Sequence, residues 1–404
     1  MSRSSAMNNQ SRTSFAAHTS ICREGFYYLL VLGLVFGGAM IRDINLLLVV
    51  AGLLLGPLAF NWRAVVVTLR GLRVERKAPQ SICAGDLLVI KLSLTNSRRR
   101  LGGWAIVVED QIQLESANNR DKPIKPGVLF VRVPAGQTCQ ADYRGRLVQR
   151  GRYRLGPLRI STRFPFGLIC RTVVVEDYAT ITVLPRLGRL TQAWHRRQQE
   201  AFAGAQRRER RHGMEGDFYG LRQWRQGDSL RWVHWRSSAR RGTLLVRQFE
   251  QPRNREVLLL LDLWQPERPT AAHLDNVELA VSFTATVLAD LCRKGGAALR
   301  LVLCDPHPLV LSGAASSLLL EEMLLALAGA TAYSTSRLPE LLRQALPHLG
   351  RGCQVLLVST QPVDLENHPA LDGLRTDPAW PLLLRRIRCV DTSSHQFSKL
   401  FEAT

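Results

Sequence analysis

Residues 213–250 read GMEGDFYGLRQWRQGDSLRWVHWRSSARRGTLLVRQFE. Three of the chain's eight tryptophans (Trp224, Trp232, Trp235), seven arginines and four carboxylates (Glu215, Asp217, Asp228, Glu250) fall in this one stretch. A generic core has no use for such a mixture, because charged side chains are costly to bury unless they pair. Gly227-Asp228 reads as a turn followed by a helix N-cap, since the carboxylate can accept from the exposed amides of the next turn. A helix of roughly three turns is predicted from about Ser229, with Leu230, Val233 and Ser237 on one side and Gly242 as its stop. Leu244 to Phe249 then reads as a strand, and Glu256 to Asp262 as a second, fully buried one between Pro252 and Pro266. The block is expected to dock onto a sheet.

Downstream, strands and helices alternate. Val257–Asp262, Ala298–Cys304, Cys353–Thr360 and Arg386–Val390 read as strands; Leu274–Lys294, Ser316–Ala328 and Leu338–Leu349 read as helices. On the first of these helices Val277, Ala280, Val281, Thr284, Val287, Leu288 and Leu291 share a face. The alternation predicts an α/β domain over 256–404, a parallel sheet with helices on both faces. Upstream the rhythm is different. Short runs at Leu87–Leu94, Trp104–Glu109, Val128–Val133, Ala141–Leu147 and Val173–Val183, punctuated by turns such as Ala84-Gly85-Asp86, predict an antiparallel, immunoglobulin-like β-sandwich over 70–185. Between the two lies a basic linker and the opening block, 186–255. Its run Arg207-Arg208-Glu209-Arg210-Arg211 reads as a solvated segment, or as an accessible docking segment.

Near the N terminus Phe26–Ile41 and Ile44–Phe60 are apolar runs separated only by Arg42-Asp43. Each spans about 25 Å as a helix, against a hydrocarbon core of roughly 30 Å. A second apolar run follows the first at once and no small-x-small cleavage site intervenes, so a transmembrane hairpin over 24–62 is expected rather than a cleaved signal. Arg3, Arg12 and Arg23 precede it and Arg63, Arg70, Arg73, Arg76 and Lys77 follow, which predicts both ends on the cytoplasmic side. Residues 1–23 read as a disordered tail. The formal charge is +21, with six lysines among 54 basic residues. Anionic lipid is a simpler partner for that charge than nucleic acid. Eight scattered cysteines without a CxxC pair point to reduced thiols rather than to a zinc site or a disulfide framework.

The series Gly216-Asp217-Phe218-Tyr219-Gly220-Leu221-Arg222, then Gly227-Asp228, Arg231, His234-Trp235, Ser238-Ala239-Arg240 and Leu245-Val246-Arg247, resembles the signature of the domain-of-unknown-function 58 family. Arg150-Gly151-Arg152-Tyr153-Arg154-Leu155-Gly156-Pro157, followed by Pro165-Phe166-Gly167-Leu168, is similar to that family's second signature. The resemblance is strong from about Arg150 to Asp262. It implies a von Willebrand factor A-like fold for the C-terminal domain and a MoxR-type AAA+ ATPase as partner, and it carries no established catalytic residue.

A metal-binding von Willebrand factor A domain places Asp-x-Ser-x-Ser after its first strand, because a hard cation needs converging oxygens. Here Asp262 is followed by Trp264 and Pro266 at the serine positions, so a degenerate site and no metal are expected, although Asp262, Ser359, Thr360 and Asp364 fall at strand ends. Asp228, His234 and Ser238 offer a hydrolase reading, but no oxyanion loop, Gly-x-Ser-x-Gly elbow, His-Glu-x-x-His or phosphate-binding Gly-Lys-Ser/Thr loop accompanies them. No enzymatic activity and no cofactor are expected. For the block itself, Asp217 and Asp228 are expected to pair with Arg231 or Arg240 over packed tryptophans, as a clamp between domains. The competing expectation turns the same side chains outward, with Asp217, Tyr219, Arg222, Gly227, Asp228, Arg231, His234, Trp235, Ser238 and Arg240 as signature and interface residues. The whole reads as a two-pass bacterial inner-membrane scaffold or adaptor. Its expected partners are the bilayer, the ATPase and other membrane proteins; a membrane-tethered hydrolase or metal-dependent enzyme, and anion or nucleic-acid binding through the basic linker, are the alternatives.

Overall fold

The computed structural model describes residues 15–42, 45–115, 122–200, 218–226, 228–249, 255–305, 307–350 and 352–403, and the chain divides into two units between Leu184 and Pro185. The first unit opens with strand β1 (Phe15–Ile21), then helices α1 (Arg23–Arg42) and α2 (Asn45–Leu69). Both helices are long and apolar enough to cross a membrane. At 1.5 Å per residue they measure about 30 and about 37 Å, and Phe26, Leu34, Leu53 and Phe60 stand exposed along them. The Tyr28 hydroxyl donates to the Leu54 carbonyl at 2.7 Å, tying the two helices together.

Two expectations change here. The tail expected over 1–23 contains an ordered strand: β1 lies antiparallel to a sandwich strand, Phe15 opposite Val175 and Ile21 opposite Ile169. An available sheet edge supplies the hydrogen bonds that a Ser/Thr-rich sequence does not advertise; residues 1–14 lie outside the described residues. Nor does the second helix end at 62. Nothing between Arg63 and Leu69 breaks a helix, and Gly71, with φ of +72°, makes the stop. The last turns of α2 bury Asn61, Val65, Thr68 and Leu69, so the helix is seated in the β-domain without a linker.

The β-domain comprises β2 (Leu72–Lys77), β3 (Ser81–Cys83), β4 (Leu87–Asn96), β5 (Gly103–Glu109), β6 (Ile112–Leu114), β7 (Gly127–Val133), β8 (Thr138–Arg146), β9 (Gly151–Leu155), β10 (Leu158–Thr162), β11 (Ile169–Val175) and β12 (Ala179–Leu184). They form sheets β1-β11-β10-β5-β7, β3-β12-β9-β6 and β2-β4-β8, antiparallel except for the β3–β12 pair. Period-two alternation builds the core: Leu88, Ile90, Leu92 and Leu94 all point inward, with Ile106, Leu155, Leu158 and Ile181 against them. Each such side chain is worth roughly 1.5–3 kcal/mol of burial. The single strand expected over Val173–Val183 is two strands in different sheets, because the Asp177 amide turns back to donate to the Val175 carbonyl at 2.8 Å and leaves β11 and β12 with different partners.

The second unit starts inside the segment expected to be a solvated linker. Strand β13 (Arg189–Leu190) pairs with the final strand, and a helix, α3, runs over 192–200. Trp194 is buried edge-on against Phe283, which also meets Phe397 and Phe401. One apolar anchor is enough to fold a polar stretch onto a core; the run at 207–211 lies outside the described residues. There follow β14 (Phe218–Gln223), α4 (Trp235–Arg241), β15 (Leu245–Phe249), β16 (Arg255–Asp262), α5 (Ala271–Lys294), β17 (Ala297–Asp305), β18 (His307–Ala314), α6 (Ser317–Gly329), α7 (Leu338–Ala345), β19 (Gln354–Ser359), α8 (Asp372–Arg375), α9 (Trp380–Arg386), β20 (Ile387–Asp391) and β21 (Phe401–Glu402).

The main sheet runs β18-β17-β16-β19-β20. Its four strands β17, β16, β19 and β20 are parallel, and β18 adds an antiparallel edge that the expected all-parallel sheet lacked. Leu258, Leu259 and Leu260 of β16 are all fully buried, as a strand covered on both faces requires. Leu258 and Leu260 join Leu338, Leu341 and Leu342 of α7, and the predicted inward residues of α5, from Val277 to Leu291, are buried. The opening block does not extend this sheet. β14 and β15 pair with each other as a separate two-stranded ribbon, Gln223 opposite Leu245.

Candidate functional site

The ribbon carries an excursion, 224–244, on its end. Asp228 decides its first turn. The carboxylate accepts both arms of the Arg222 guanidinium, at 2.6 and 2.7 Å, and the Arg225 amide at 2.9 Å. These donors hold its pKa down, at about 2. Trp224 closes the turn through its indole N–H to the Asp228 carbonyl (3.3 Å) and its amide to the Leu244 carbonyl (2.9 Å). The partner expected for Asp228 was Arg231 or Arg240. The turn folds Asp228 back under the end of β14, where Arg222 sits, and leaves Arg231 and Arg240 exposed on the elements that follow.

Those elements are not one three-turn helix. Leu230–Trp232 is a single 3-10 turn capped by the Ser229 hydroxyl. Val233 is then extended, bridging to Val246, and the His234 amide donates to the Leu245 carbonyl at 2.8 Å. Backbone pairing to the ribbon thus interrupts the helix. It restarts at Trp235 with His234 as N-cap, Nδ1 accepting from the Ser237 amide at 3.2 Å, and stops at Gly242 with φ of +67°. Ser238 is buried; its hydroxyl accepts from the Leu245 amide at 2.8 Å and donates to the Leu245 carbonyl at 3.4 Å.

The three members of the hydrolase reading therefore have separate employments. Asp228 is held by Arg222 and Arg225, His234 caps a helix, and Ser238 is tied to the ribbon backbone; among the described residues none hydrogen-bonds another. Asp217 and Gly227 lie outside the described residues, and Tyr219 is placed by its backbone in β14 only. What the excursion presents is apolar and basic. Val233, Ser238, Leu245 and Val246 make its small interior, while Leu230 is 61% and Trp235 64% exposed, with Trp232, Leu221 and Leu244 also outward. Arg225, Arg231, Arg236, Arg240, Arg241 and Arg247 are exposed around them.

The strand-end residues of the main sheet give a second candidate. Asp262 is buried and accepts from the Ser359 hydroxyl at 3.0 Å; burial holds its carboxyl above the usual range. The Thr360 hydroxyl is spent on Trp264, donating to its carbonyl at 2.6 Å. Asp364 turns away and caps its own loop at the Glu366 and Asn367 amides. The crevice beside Asp262, lined by Cys304, Tyr333, Thr335 and Arg337, has a volume of about 10 Å³, room for about one water molecule. With the Ser359 hydroxyl committed to Asp262 and the Thr360 hydroxyl to the Trp264 carbonyl, this donor set does not fit a divalent cation.

Residues 220–361 match the family described as "Protein of unknown function DUF58". Over this region the chain matches the DUF58 family. The DUF58 match takes in most of the ribbon and its excursion and the main sheet through β19; the motifs at Arg150–Pro157 and Pro165–Leu168 lie before it. The uncharacterised protein YeaD of Bacillus subtilis is 28% identical over 236 residues, 57% of this chain, and the chain spans 55% of YeaD's length. Solved structures that align with part of the chain include the CARDB domain of a Pyrococcus furiosus protein, at 12% identity, TM-score 0.19, over 28% of this chain and 94% of that one. Superoxide reductase (neelaredoxin) from Ignicoccus hospitalis aligns at 13% identity, TM-score 0.20, over 27% and 78%.

Proposed function

We propose that this DUF58 protein is a membrane-anchored, non-enzymatic scaffold or adaptor whose excursion on the β14–β15 ribbon docks a protein partner. One observation carries the reading: the block spends its polar candidates on its own architecture and turns Trp235, Leu230 and six arginines outward. Trp and Arg anchors of this kind dominate protein interfaces. The partner implied by the family resemblance is a MoxR-type AAA+ ATPase.

The two apolar helices support a two-pass anchor in a bacterial cell membrane. Since β1 precedes α1 and pairs with a sandwich strand that follows α2, the two outer ends of the hairpin emerge on one side, and the flanking arginines favour the cytoplasm. The strand order of the main sheet, with an antiparallel edge and α5 directly after β16, supports a von Willebrand factor A-like reading of the second unit, and the packed antiparallel sheets support an immunoglobulin-like one for the first. Crosslinking in native membranes, followed by purification in mild detergent, tests the proposal. An ATPase subunit recovered in constant ratio to this chain is the expected result; recovery of this chain alone contradicts it.

A further inference from the structure

The turn over Arg163–Leu168 is gripped by both apolar helices. The Leu168 amide donates to Oδ1 of the buried Asn61 at 3.1 Å, and the Leu168 carbonyl accepts from the Cys22 amide at 2.9 Å. Gly25 packs so closely on that carbonyl that a Cβ there would lie 2.1 Å from its oxygen. Gly167, with φ of +74°, closes the turn by donating to the Arg163 carbonyl at 2.9 Å. Beneath it Leu168 and Ile169 pack with Val65 of α2.

These contacts fix the turn's level along the helices twice over. Cys22 and Gly25 stand immediately before the apolar run of α1, which starts at Phe26, and Asn61 stands immediately after the run of α2, which ends at Phe60. Both registers put the turn where apolar helix surface gives way to polar. At that level Phe166 is not packed away. It is 53% exposed, with its ring centroid 6.0 Å from that of the exposed Phe60. Phe164 is exposed too and stacks on Trp104 at 6.1 Å, with the Arg132 guanidinium 4.9 Å from the Trp104 ring. Trp62, Tyr27, Arg63 and Arg163 are exposed beside the same boundary.

We propose that this turn is a membrane-interface anchor: Phe166 enters the headgroup–acyl boundary of the bilayer beside Phe60, while Arg63 and Arg163 face anionic headgroups. The proposal rests on the reading of α1 and α2 as membrane-spanning. Aromatic rings collect at this boundary because one part of them is apolar and the other tolerates water, and basic residues next to them are attracted by anionic lipid. The occupant is the bilayer because the exposed face of Phe166 continues the apolar surface of α2, and the net charge of +21 complements its headgroups. Because α2 enters the β-domain without a linker, an anchored turn also fixes how the β-domain stands on the membrane.

The full chain, reconstituted in phosphatidylcholine/phosphatidylglycerol vesicles, is made with p-benzoylphenylalanine at one of three positions and irradiated. Position 53 on α2 reports the bilayer and position 166 reports the turn. Position 148, exposed beside the far end of β4, is the distant control: nine residue steps carry β4 about 30 Å from Asn96, opposite Leu72 next to the α2 stop, to Leu87, opposite Arg146. Lipid adducts at 166 comparable to those at 53, and about tenfold above those at 148, are expected for an interfacial side chain. Lipid adducts at 53 with none at 166, or protein adducts alone at 166, overturn the proposal and leave the hairpin standing. Adducts at neither 53 nor 166 remove the membrane reading and the anchor with it.

Discussion

Among the described residues, Asp110 and Asp228 each meet an arginine with both carboxylate oxygens, Asp110 through one guanidinium nitrogen and Asp228 through two, and they do opposite work. In the β-domain Arg76 reaches Asp110 at 2.8 and 3.0 Å, Tyr143 adds its hydroxyl at 2.7 Å, and the paired side chains are 1% and 0% exposed. In the DUF58 block Arg222 reaches Asp228 at 2.6 and 2.7 Å, with side chains 37% and 19% exposed. The buried pair is welded into a core: Arg76 also donates to the Asp177 carbonyl, and Asp110 accepts the Gln111 amide. The half-exposed pair braces one turn and leaves its surroundings at the surface. Similar chemistry thus marks a buried joint in one unit and the brace of a surface turn in the other.

The comparison breaks most easily at the buried joint. Asp110→Ala strands the Arg76 guanidinium in the interior and should cost about 3–5 kcal/mol of stability, read as an early collapse in denaturant melts of the purified chain; a loss under 1 kcal/mol would show that water reaches the pair. Next comes Gly156→Ala. Gly156 has φ of +102°, and a Cβ would lie 2.2 Å from the Asp177 carbonyl oxygen, so about 2–3 kcal/mol is expected in the same melts. Asp228→Asn should do less than either, and its effect should depend on pH. The Asp228 pKa is depressed to about 2, so its contribution is present above the ordinary carboxylate value near 3.9 and fades as pH falls toward 2. The variant should therefore trail the parent protein at pH 6 and converge with it near pH 2. An unchanged gap across that range would mean the pair does not brace the turn. Smallest of all on stability should be Trp235→Ala, within about 0.5 kcal/mol.

Much of this was legible in the sequence. The two apolar runs, the leucine-rich buried strand at 256–262, the inward face of α5 and the DUF58 block all announce themselves by composition or period. What escaped depends on neighbours distant in sequence. β1 mixes apolar and polar residues without a clear period and becomes a strand because β11 offers an edge. Trp194 folds a charged segment because Phe283 receives it. Asp228 chooses Arg222 rather than Arg231 or Arg240 because the ribbon, not helical spacing, sets their distance. His234 becomes a cap because Val233 pairs with Val246 and splits the predicted helix. Asn61 had a faint signal, a lone amide at the end of an apolar run, but its partner lies 107 residues away.

The central claim is that the DUF58 block is built for display. It is tested most directly by measuring, in one preparation of Trp235→Ala, both thermal stability and retention of the crosslinked partner. An unshifted melt with partner affinity reduced about thirtyfold, the size of a lost aromatic anchor, is the predicted result. A melt that falls by several degrees while the partner stays bound would contradict it and make the tryptophan part of the fold.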